Sequence, residues 1–270
     1  MAAHRVYSIG VVGTGNMGSA LVKGWLRAPE SGVHIIVWDK VEDAARRLTG
    51  TGAIEQAPSL EDLVARADVV LVVVKPKDAR DVLGSLAGLV RGGQVVVSAM
   101  AGITLEWMRG ILGPTPSLYR IMPNLGVELG VGAIALACEP ARSSSEVKTM
   151  IELLTPLGLV EALPEEGFDA VTGVSGSGPA FLALAIEGLE DGAVAAGLSR
   201  TLARRLVRET AVATAALLAS HSDSPAELRE RLAATGVLHP GAAETLERLG
   251  VRAAFEQAVE TAVERSRGLR

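Results

Sequence analysis

The stretch Ile9-Gly-Val-Val-Gly-Thr-Gly-Asn-Met-Gly18 decides the fold, because a run of apolar residues passes directly into a glycine-rich turn. The glycines have the spacing G-x-G-x-x-G, and the segment from Asn16 to Arg27 that follows has a helical pattern. In such a unit the first glycine permits a tight turn, the second lets a pyrophosphate approach the backbone, and the third allows close helix–strand packing. The positive end of the helix then faces the phosphates. The residues predicted to contact a dinucleotide here are Gly13, Gly15, Asn16, Met17 and Gly18.

A second apolar strand, Val33–Trp38, follows the helix and ends in Asp39 and Lys40. An acidic side chain at this position accepts hydrogen bonds from the adenosine ribose hydroxyls of NAD. A lysine beside it can instead neutralise the extra phosphate of NADP. The pair therefore leaves both NADH and NADPH open as the cofactor, and it also leaves open that Asp39 only caps the next helix.

The first half of the chain continues to alternate between helices and apolar strands, such as Val69–Val74 and Val95–Ser98. Continuous apolar strands between amphipathic helices indicate a parallel sheet that is covered on both faces. We therefore predict an α/β fold in which residues 1–163 form a Rossmann domain with a doubly wound parallel sheet.

The pattern changes after about Pro164, where strand-like runs give way to long segments rich in Ala, Leu, Glu and Arg. The predicted helices are Pro179–Ala196, Arg200–Ser220, Ala226–Ala234 and Ala242–Arg267. Some of these helices are too apolar around their circumference for a lone helical layer. Residues 164–270 are therefore predicted to form an all-helical dimerisation domain.

Composition excludes several classes of partner. The chain has 270 residues and a formal net charge of −5, and its basic residues are scattered, so we expect neither nucleic acid nor an anionic membrane as partner. The longest apolar runs, Val69–Val74 and Ala211–Ala219, are shorter than a membrane span, and the first residues show no signal-peptide pattern. The single cysteine, Cys138, is predicted to be buried and structural, and the histidines form no metal-like cluster in the sequence. We expect a cytoplasmic protein without a disulfide or a metal.

Seven motifs then identify a specific resemblance. They are Ile9–Gly18, Val73-Val-Lys-Pro76, Ser98-Ala-Met-Ala-Gly102, Arg120-Ile-Met-Pro-Asn124, Asp169–Phe181, Gly197-Leu-Ser-Arg200 and Leu246–Arg252. In their order and spacing the chain resembles the pyrroline-5-carboxylate reductases over nearly its whole length. The resemblance implies a homodimer or a ring of dimers.

The resemblance also assigns cofactor residues at the ends of later strands. Ligands of open α/β sheets bind at the carboxyl ends of the strands, where the Val-Lys-Pro and Ala-Met-Ala-Gly segments are expected. The residues implied there are Val74, Lys75, Pro76, Ala99 and Ala101, with Pro123 and Asn124 at the edge of the nicotinamide pocket. Lys75 could instead be a solvated residue at the strand end, and Pro123 with Asn124 a plain turn.

The segment Ser175-Gly-Ser-Gly-Pro179 suits the start of a helix, with Pro179 at the first helical position and Ser177 or Gly178 at the N-cap. Such a helix end binds anions, and in the resemblance it lies near the substrate carboxylate. The implied substrate residues are Ser175, Gly176, Ser177 and Gly178, and the implied catalytic residues are Ser177 and Thr172. The alternative is a helix cap without any ligand.

The activity implied by the resemblance is the NAD(P)H-dependent reduction of a cyclic imino acid, 1-pyrroline-5-carboxylate, to L-proline. The first turns of the helix Pro179–Leu189 carry no Lys or His as a general base. Imine reduction does not need one, because a protonated imine is already electrophilic. Two alternatives remain: a reductase of a different cyclic imine, and a non-catalytic dinucleotide-binding regulatory protein.

The sequence departs from the family at two loops. Leu125-Gly126 stands where the family has Thr-Pro, and Ala233–His239 stands where the family has Thr-Ser-Pro-Gly-Gly-x-Thr at the substrate pocket. Small hydroxyl donors are largely lost from the second loop, so the chain resembles a divergent member. Its candidate substrate residues are Thr235, Gly236 and His239. The alternative is that this loop lies away from the pocket.

Overall fold

The computed structural model describes residues 6–49, 54–220, 223–236 and 240–268. The described strands are β1 (Tyr7–Val12), β2 (Val33–Trp38), β3 (Ile54–Gln56), β4 (Val69–Val72), β5 (Val95–Ser98), β6 (Ser117–Pro123), β7 (Gly132–Cys138) and β8 (Gly158–Ala162). The helices of the first half are α1 (Asn16–Leu26), α2 (Glu42–Thr49), α3 (Leu60–Arg66), α4 (Ala79–Ala87), α5 (Leu105–Leu112) and α6 (Ser144–Leu154). Those of the second half are α7 (Phe168–Val171), α8 (Gly178–Ala195), α9 (Arg200–Ser220), α10 (Pro225–Ala234), α11 (Pro240–Arg248) and α12 (Val251–Arg267).

The strands form one sheet in the order β3-β2-β1-β4-β5-β6-β7-β8. The first six strands of this order run parallel, so the predicted doubly wound parallel sheet is confirmed. The order reverses direction between β1 and β4, which is where open α/β sheets form their ligand crevice. Strand β7 is antiparallel to β6, and β8 is parallel to β7, so these two strands extend the sheet in the opposite direction.

Both faces of the sheet are buried, as the continuous apolar strands predict. Alternate residues of β4 divide between two cores: Val69 and Leu71 pack on one side with α1 and α6, whereas Val70 and Val72 pack on the other. Trp25 of α1 crosses to α6, where its Nε1 donates to the Leu153 carbonyl at 2.8 Å. Cys138, at the end of β7, is half-buried rather than fully buried, and its burial raises the pKa of its thiol.

The chain divides into two compact units, of which the first contains the residues up to 176 and those from 262 onward, and the second contains residues 177–261. Phe168 is fully buried in a core of the first unit. Asp169 accepts a 2.8 Å hydrogen bond from Ser266 Oγ in a buried contact. The first compact unit thus includes the segment from residue 164 to residue 176. The predicted domain boundary after residue 163 stays a prediction.

The described part of the second unit is helical throughout, as predicted. The prediction of a single helix over Ala242–Arg267 is wrong, because a turn at Gly250 separates α11 from α12. Gly250 has a φ of +72°, which residues with a side chain rarely adopt. Large apolar side chains remain exposed in the single chain, including Leu182 at 64% and Leu184 at 70%. In a lone copy, the described part of this unit therefore has no extensive core.

One described helical stretch, Glu165–Ala195, is long and apolar enough to span a membrane by length and composition. Length and composition alone do not distinguish such a helix from one that packs against a second copy of the chain. The absence of a membrane partner therefore stays a prediction.

Candidate active site

The predicted cofactor segments begin at one edge of the sheet. Val12 at the end of β1 pairs with Trp38 of β2 and with Val72 of β4. Val72 pairs with Ser98 of β5, which in turn pairs with Arg120 of β6. The carboxyl ends of these parallel strands are therefore adjacent. The segments that follow them are 13–18, 39–40, 73–76, 99–101 and, beyond the end of β6, Asn124.

The glycine-rich turn has the geometry that a dinucleotide requires. Gly13 has a φ of +100°, and a Cβ there would lie 2.5 Å from the Val73 carbonyl oxygen. A Cβ at Gly18 would lie 2.0 Å from the Gly13 oxygen, so helix and turn are in close contact. A Cβ at Gly15 would meet nothing within 4 Å, and no side chain caps the start of α1. The open space at Gly15 and the uncapped helix end fit a pyrophosphate.

A groove of about 460 Å³ opens beside this turn. The predicted residues that line it are Gly13, Gly15, Asp39, Lys40, Val74 and Lys75. The lining residues that the sequence analysis missed are Trp38, Leu60, Val73, Lys77, Asp78, Asp81, Val82 and Ser85. The predicted residues outside this lining are Asn16, Met17, Gly18, Pro76, Ala99, Ala101, Pro123 and Asn124, all on the same edge of the sheet.

Asp39 holds the turn as well as facing the groove. Its Oδ2 accepts from the Thr14 backbone N–H at 2.7 Å and from Thr14 Oγ1 at 3.1 Å. Its Oδ1 accepts from the Val41 backbone N–H at 2.9 Å, just before α2. Asp39 therefore supports the start of the following helix, which was the alternative interpretation, and fixes the glycine-rich turn at the same time.

The neighbouring lysine, Lys40, is bonded to an acid that also lines the groove. Lys40 Nζ donates to Asp78 Oδ1 at 2.8 Å. This hydrogen bond holds the pKa of the Asp78 carboxyl below its ordinary value and raises the pKa of Lys40. The charges of Lys77 and Lys75 lower the pKa of Asp78 further.

A second cluster lies where β6 ends. Asn124 Oδ1 accepts from the backbone N–H groups of Gly126 at 3.0 Å and Ala133 at 3.2 Å, and Asn124 Nδ2 lies 3.4 Å from Ser175 Oγ. A Cβ at Gly176 would lie 3.2 Å from Met122 Cε, so the following backbone also touches β6. The predicted substrate residues Ser175 and Gly176 thus meet the predicted nicotinamide edge.

The segment that carries Ser175 is a π-helical turn, Thr172–Gly176. Such turns are rare and frequently occur at functional sites. Thr172 Oγ1 donates to the Phe168 carbonyl oxygen at 2.8 Å. The predicted catalytic hydroxyl of Thr172 is therefore bonded to its own helix.

Ser177 occupies the N-cap position of α8, as predicted, but it does not cap a free helix end. Its backbone angles are helical (φ −89°, ψ −27°), and its side chain makes no capping hydrogen bond. The physical reason is that the π-helical turn directly precedes it, so the chain is already helical. Gly178 is the first residue of α8 and not its cap, so the prediction that Pro179 takes the first helical position is wrong by one residue.

The altered loop belongs to the second unit. Thr235 Oγ1 donates to the Leu232 carbonyl oxygen at 2.7 Å at the end of α10, and Gly236 has a φ of +73°. His239 lies outside the described residues. The assignment of Thr235, Gly236 and His239 to a substrate loop stays a prediction.

Arg120 supports this cluster and was noted in the sequence only as part of a motif. Its side chain is 1% exposed, its Nη1 lies 2.8 Å from Glu165 Oε1, and it packs 4.6 Å from the ring centre of Phe168. The same Glu165 oxygen accepts the Leu105 backbone N–H at 2.9 Å. These contacts fix the start of the segment that brings Ser175 to Asn124. The sequence signal that could have identified Arg120 was a basic residue inside an otherwise apolar strand.

Fold and groove together define the class of the protein: an oxidoreductase of the Rossmann type that binds a nicotinamide dinucleotide. Residues 8–102 match the family described as NADP oxidoreductase, coenzyme F420-dependent. Residues 165–269 match the family described as pyrroline-5-carboxylate reductase dimerisation.

Similar proteins identify the family. The pyrroline-5-carboxylate reductase of Mycobacterium leprae is 33% identical, with 97% of this chain and 96% of the relative covered. That of Synechocystis is 34% identical, with 97% of each covered. The crystal structure of 1-pyrroline-5-carboxylate reductase from Streptococcus pyogenes has a TM-score of 0.84 at 27% identity, covering 97% of this chain and 98% of that one. The chain belongs to the pyrroline-5-carboxylate reductase family, and it is a homo-oligomer through its dimerisation region.

Proposed function

We propose that this protein reduces 1-pyrroline-5-carboxylate to L-proline with NADH or NADPH. The observation that carries the proposal is the contact between Ser175 and Asn124, because it joins the predicted substrate segment to the sheet edge that continues from the dinucleotide groove. Membership of the family supports the same reaction.

The site residues follow from this proposal. The proposed cofactor residues are Gly13, Gly15, Asn16, Met17, Gly18, Asp39, Lys40, Val74, Lys75, Pro76, Ala99, Ala101, Pro123 and Asn124. The proposed substrate residues are Ser175, Gly176, Ser177, Gly178, Thr235, Gly236 and His239, with Ser177 and Thr172 as the catalytic candidates.

The reaction adds a hydride to the imine carbon and a proton to the imine nitrogen. When bound, the nicotinamide cofactor supplies the hydride. The chain's own part is positioning: the uncapped start of α1 would hold the pyrophosphate, and Asp39 keeps the turn in place. Asn124 is fixed by two backbone N–H groups, so its amide is preorganised beside Ser175. Ser175 then offers a hydroxyl to the substrate at this edge.

The test measures loss of reduced nicotinamide absorbance with pyrroline-5-carboxylate and with a panel of other cyclic imines, together with chromatographic detection of proline. We expect proline formation with pyrroline-5-carboxylate. Turnover only with another imine would contradict the substrate. Dinucleotide binding without turnover of any imine would indicate a non-catalytic binding protein.

A different cyclic imine is the second candidate substrate. Leu125 is exposed beside Asn124, and Leu125-Gly126 replaces the family's Thr-Pro at this position. Thr235 uses its hydroxyl within its own helix. Both observations reduce the number of side-chain donors that are available to a substrate carboxylate.

We propose that the homo-oligomer is a homodimer, or a ring of dimers, built by α8–α12. The exposed leucines of α8 support this assembly. We also propose that the protein acts in the cytoplasm on a small molecule, without a nucleic-acid or membrane partner, which its scattered basic residues support.

A further inference from the structure

The adenosine end of the groove contains an arrangement that bears on the choice between the two cofactors. Three carboxylates, Asp39, Asp78 and Asp81, and three lysines, Lys40, Lys75 and Lys77, line this groove. NADPH differs from NADH only by a 2′-phosphate, which lies near the residues that follow β2. Asp39 and Lys40 occupy that position, and they have opposite effects on a phosphate.

Asp39 disfavours the phosphate and cannot move away from it. Three hydrogen bonds hold its two carboxylate oxygens, from Thr14 N–H, Thr14 Oγ1 and Val41 N–H. A carboxylate held in this way keeps its negative charge at the end of β2. It can accept a ribose hydroxyl, whereas it repels a phosphate.

Lys40 is the residue that could compensate for this repulsion, but Asp78 engages it. The Lys40 ammonium donates to Asp78 Oδ1 at 2.8 Å, and the Asp78 carboxyl is the less exposed partner, at 25% against 66%. To reach a phosphate, Lys40 must first give up this pair. The cost of breaking it is subtracted from any gain in binding NADPH.

We propose that Asp78 sets the cofactor preference: by holding Lys40 it leaves Asp39 uncompensated, so the groove favours NADH over NADPH. Asp78 is therefore a specificity-determining residue that lies after β4 and not after β2. The inference rests on the proposed function, because it assumes that the groove binds the adenosine half of the cofactor.

The experiment measures the Kd of NADH and of NADPH by fluorescence titration of the full chain, without any imine present. We expect wild type to bind NADH about tenfold more tightly than NADPH. Asp78→Asn removes the charge that holds Lys40, so we expect NADPH to bind roughly three- to tenfold more tightly relative to NADH. Adding Lys40→Gln to Asp78→Asn should remove this gain.

Asp81→Asn is the matched control. Asp81 lines the same groove one helical turn further on, and its loss removes the same charge without releasing a bonded lysine. We expect it to alter both Kd values alike, so that their ratio changes less than twofold. An equal change of the ratio in Asp78→Asn and Asp81→Asn would overturn the proposal, as would a wild-type preference for NADPH.

The same titrations separate this inference from the proposed function. Binding of neither dinucleotide by wild type would overturn both. Turnover of the imine together with a Kd ratio that Asp78→Asn leaves unchanged would overturn only the role of Asp78.

Discussion

Gly13 and Gly15 stand two residues apart in the same turn, yet alanine should affect cofactor binding at Gly15 and stability at Gly13. At Gly15 the backbone is extended (φ −64°, ψ −165°), and a new Cβ meets nothing within 4 Å. Gly15→Ala should therefore change the free energy of unfolding by less than about 1 kcal/mol. In the proposed cofactor site, the same Cβ would stand where the pyrophosphate approaches. Loss of one charge-assisted hydrogen bond costs about 1.5–3 kcal/mol, so the Kd of both cofactors should rise roughly 10- to 100-fold.

Gly13→Ala is the matched control for this prediction. A Cβ at Gly13 lies 2.5 Å from the Val73 carbonyl oxygen, in a backbone with a φ of +100°. Strain and overpacking together should cost about 2–6 kcal/mol and lower Tm by at least about 5 °C. The assays are thermal denaturation without ligand and fluorescence titration with each cofactor. A Gly15→Ala variant that binds like wild type, or one as unstable as Gly13→Ala, would refute the reasoning.

Three further outcomes are expected. Phe168→Ala removes a fully buried ring that packs on Arg120 and should lower the free energy of unfolding by about 3–5 kcal/mol in denaturant titrations, whereas an effect below about 1 kcal/mol contradicts this packing. The hydrogen bond from Arg109 lowers the pKa of the Glu139 carboxyl, so this pair stabilises the protein above the unfolded-state pKa of Glu139. That stabilisation is lost as the pH falls through the lower pKa of the folded state. Glu139→Gln should therefore make Tm less dependent on pH between about pH 5 and 3, and an unchanged slope of Tm against pH would contradict this. Leu184→Glu places a charge on the exposed apolar face of α8 and should dissociate the oligomer, so that light scattering measures a lower mass than for wild type. The mass of a single chain for wild type would contradict assembly through this face.

The sequence predicted correctly those parts of the fold whose conformation depends mainly on neighbouring residues in the chain. The run from β1 through Gly18 to α1 is such a segment, because turn, strand and helix signals are adjacent in the sequence. Strand β7 was missed, since its sequence Gly-Ala-Ile-Ala-Leu-Ala-Cys is rich in small residues with low strand propensity. The antiparallel hydrogen bonds to β6 stabilise this segment as a strand despite its low strand propensity.

The candidate site was predictable to the extent that it follows strand ends. The groove face of α4 was available in the sequence, because Asp78, Asp81, Val82 and Ser85 have the spacing of one helical face, but nothing local shows that this face turns toward Asp39. The contact between Asn124 and Ser175 joins residues 51 positions apart and depends on a π-helical turn, which no local sequence pattern predicted. The glycine-rich segments at residues 13–18 and 175–178 therefore predicted where the site lies. Which other residues line it depends on long-range packing, which the sequence did not reveal.

The hydrogen bond between Asp169 and Ser266 has a consequence for how the chain is connected. It joins two residues 97 positions apart on either side of the second unit, so residues 177–261 form an insertion whose entry and exit are close together. The hydrogen bond holds the two ends of this segment together. The entropic cost of closing the segment would grow only slowly if the segment became longer. Domains whose two chain ends lie close together are suited to insertion into another chain. Evolution could therefore enlarge or exchange the helical insertion without disturbing the sheet that binds the dinucleotide.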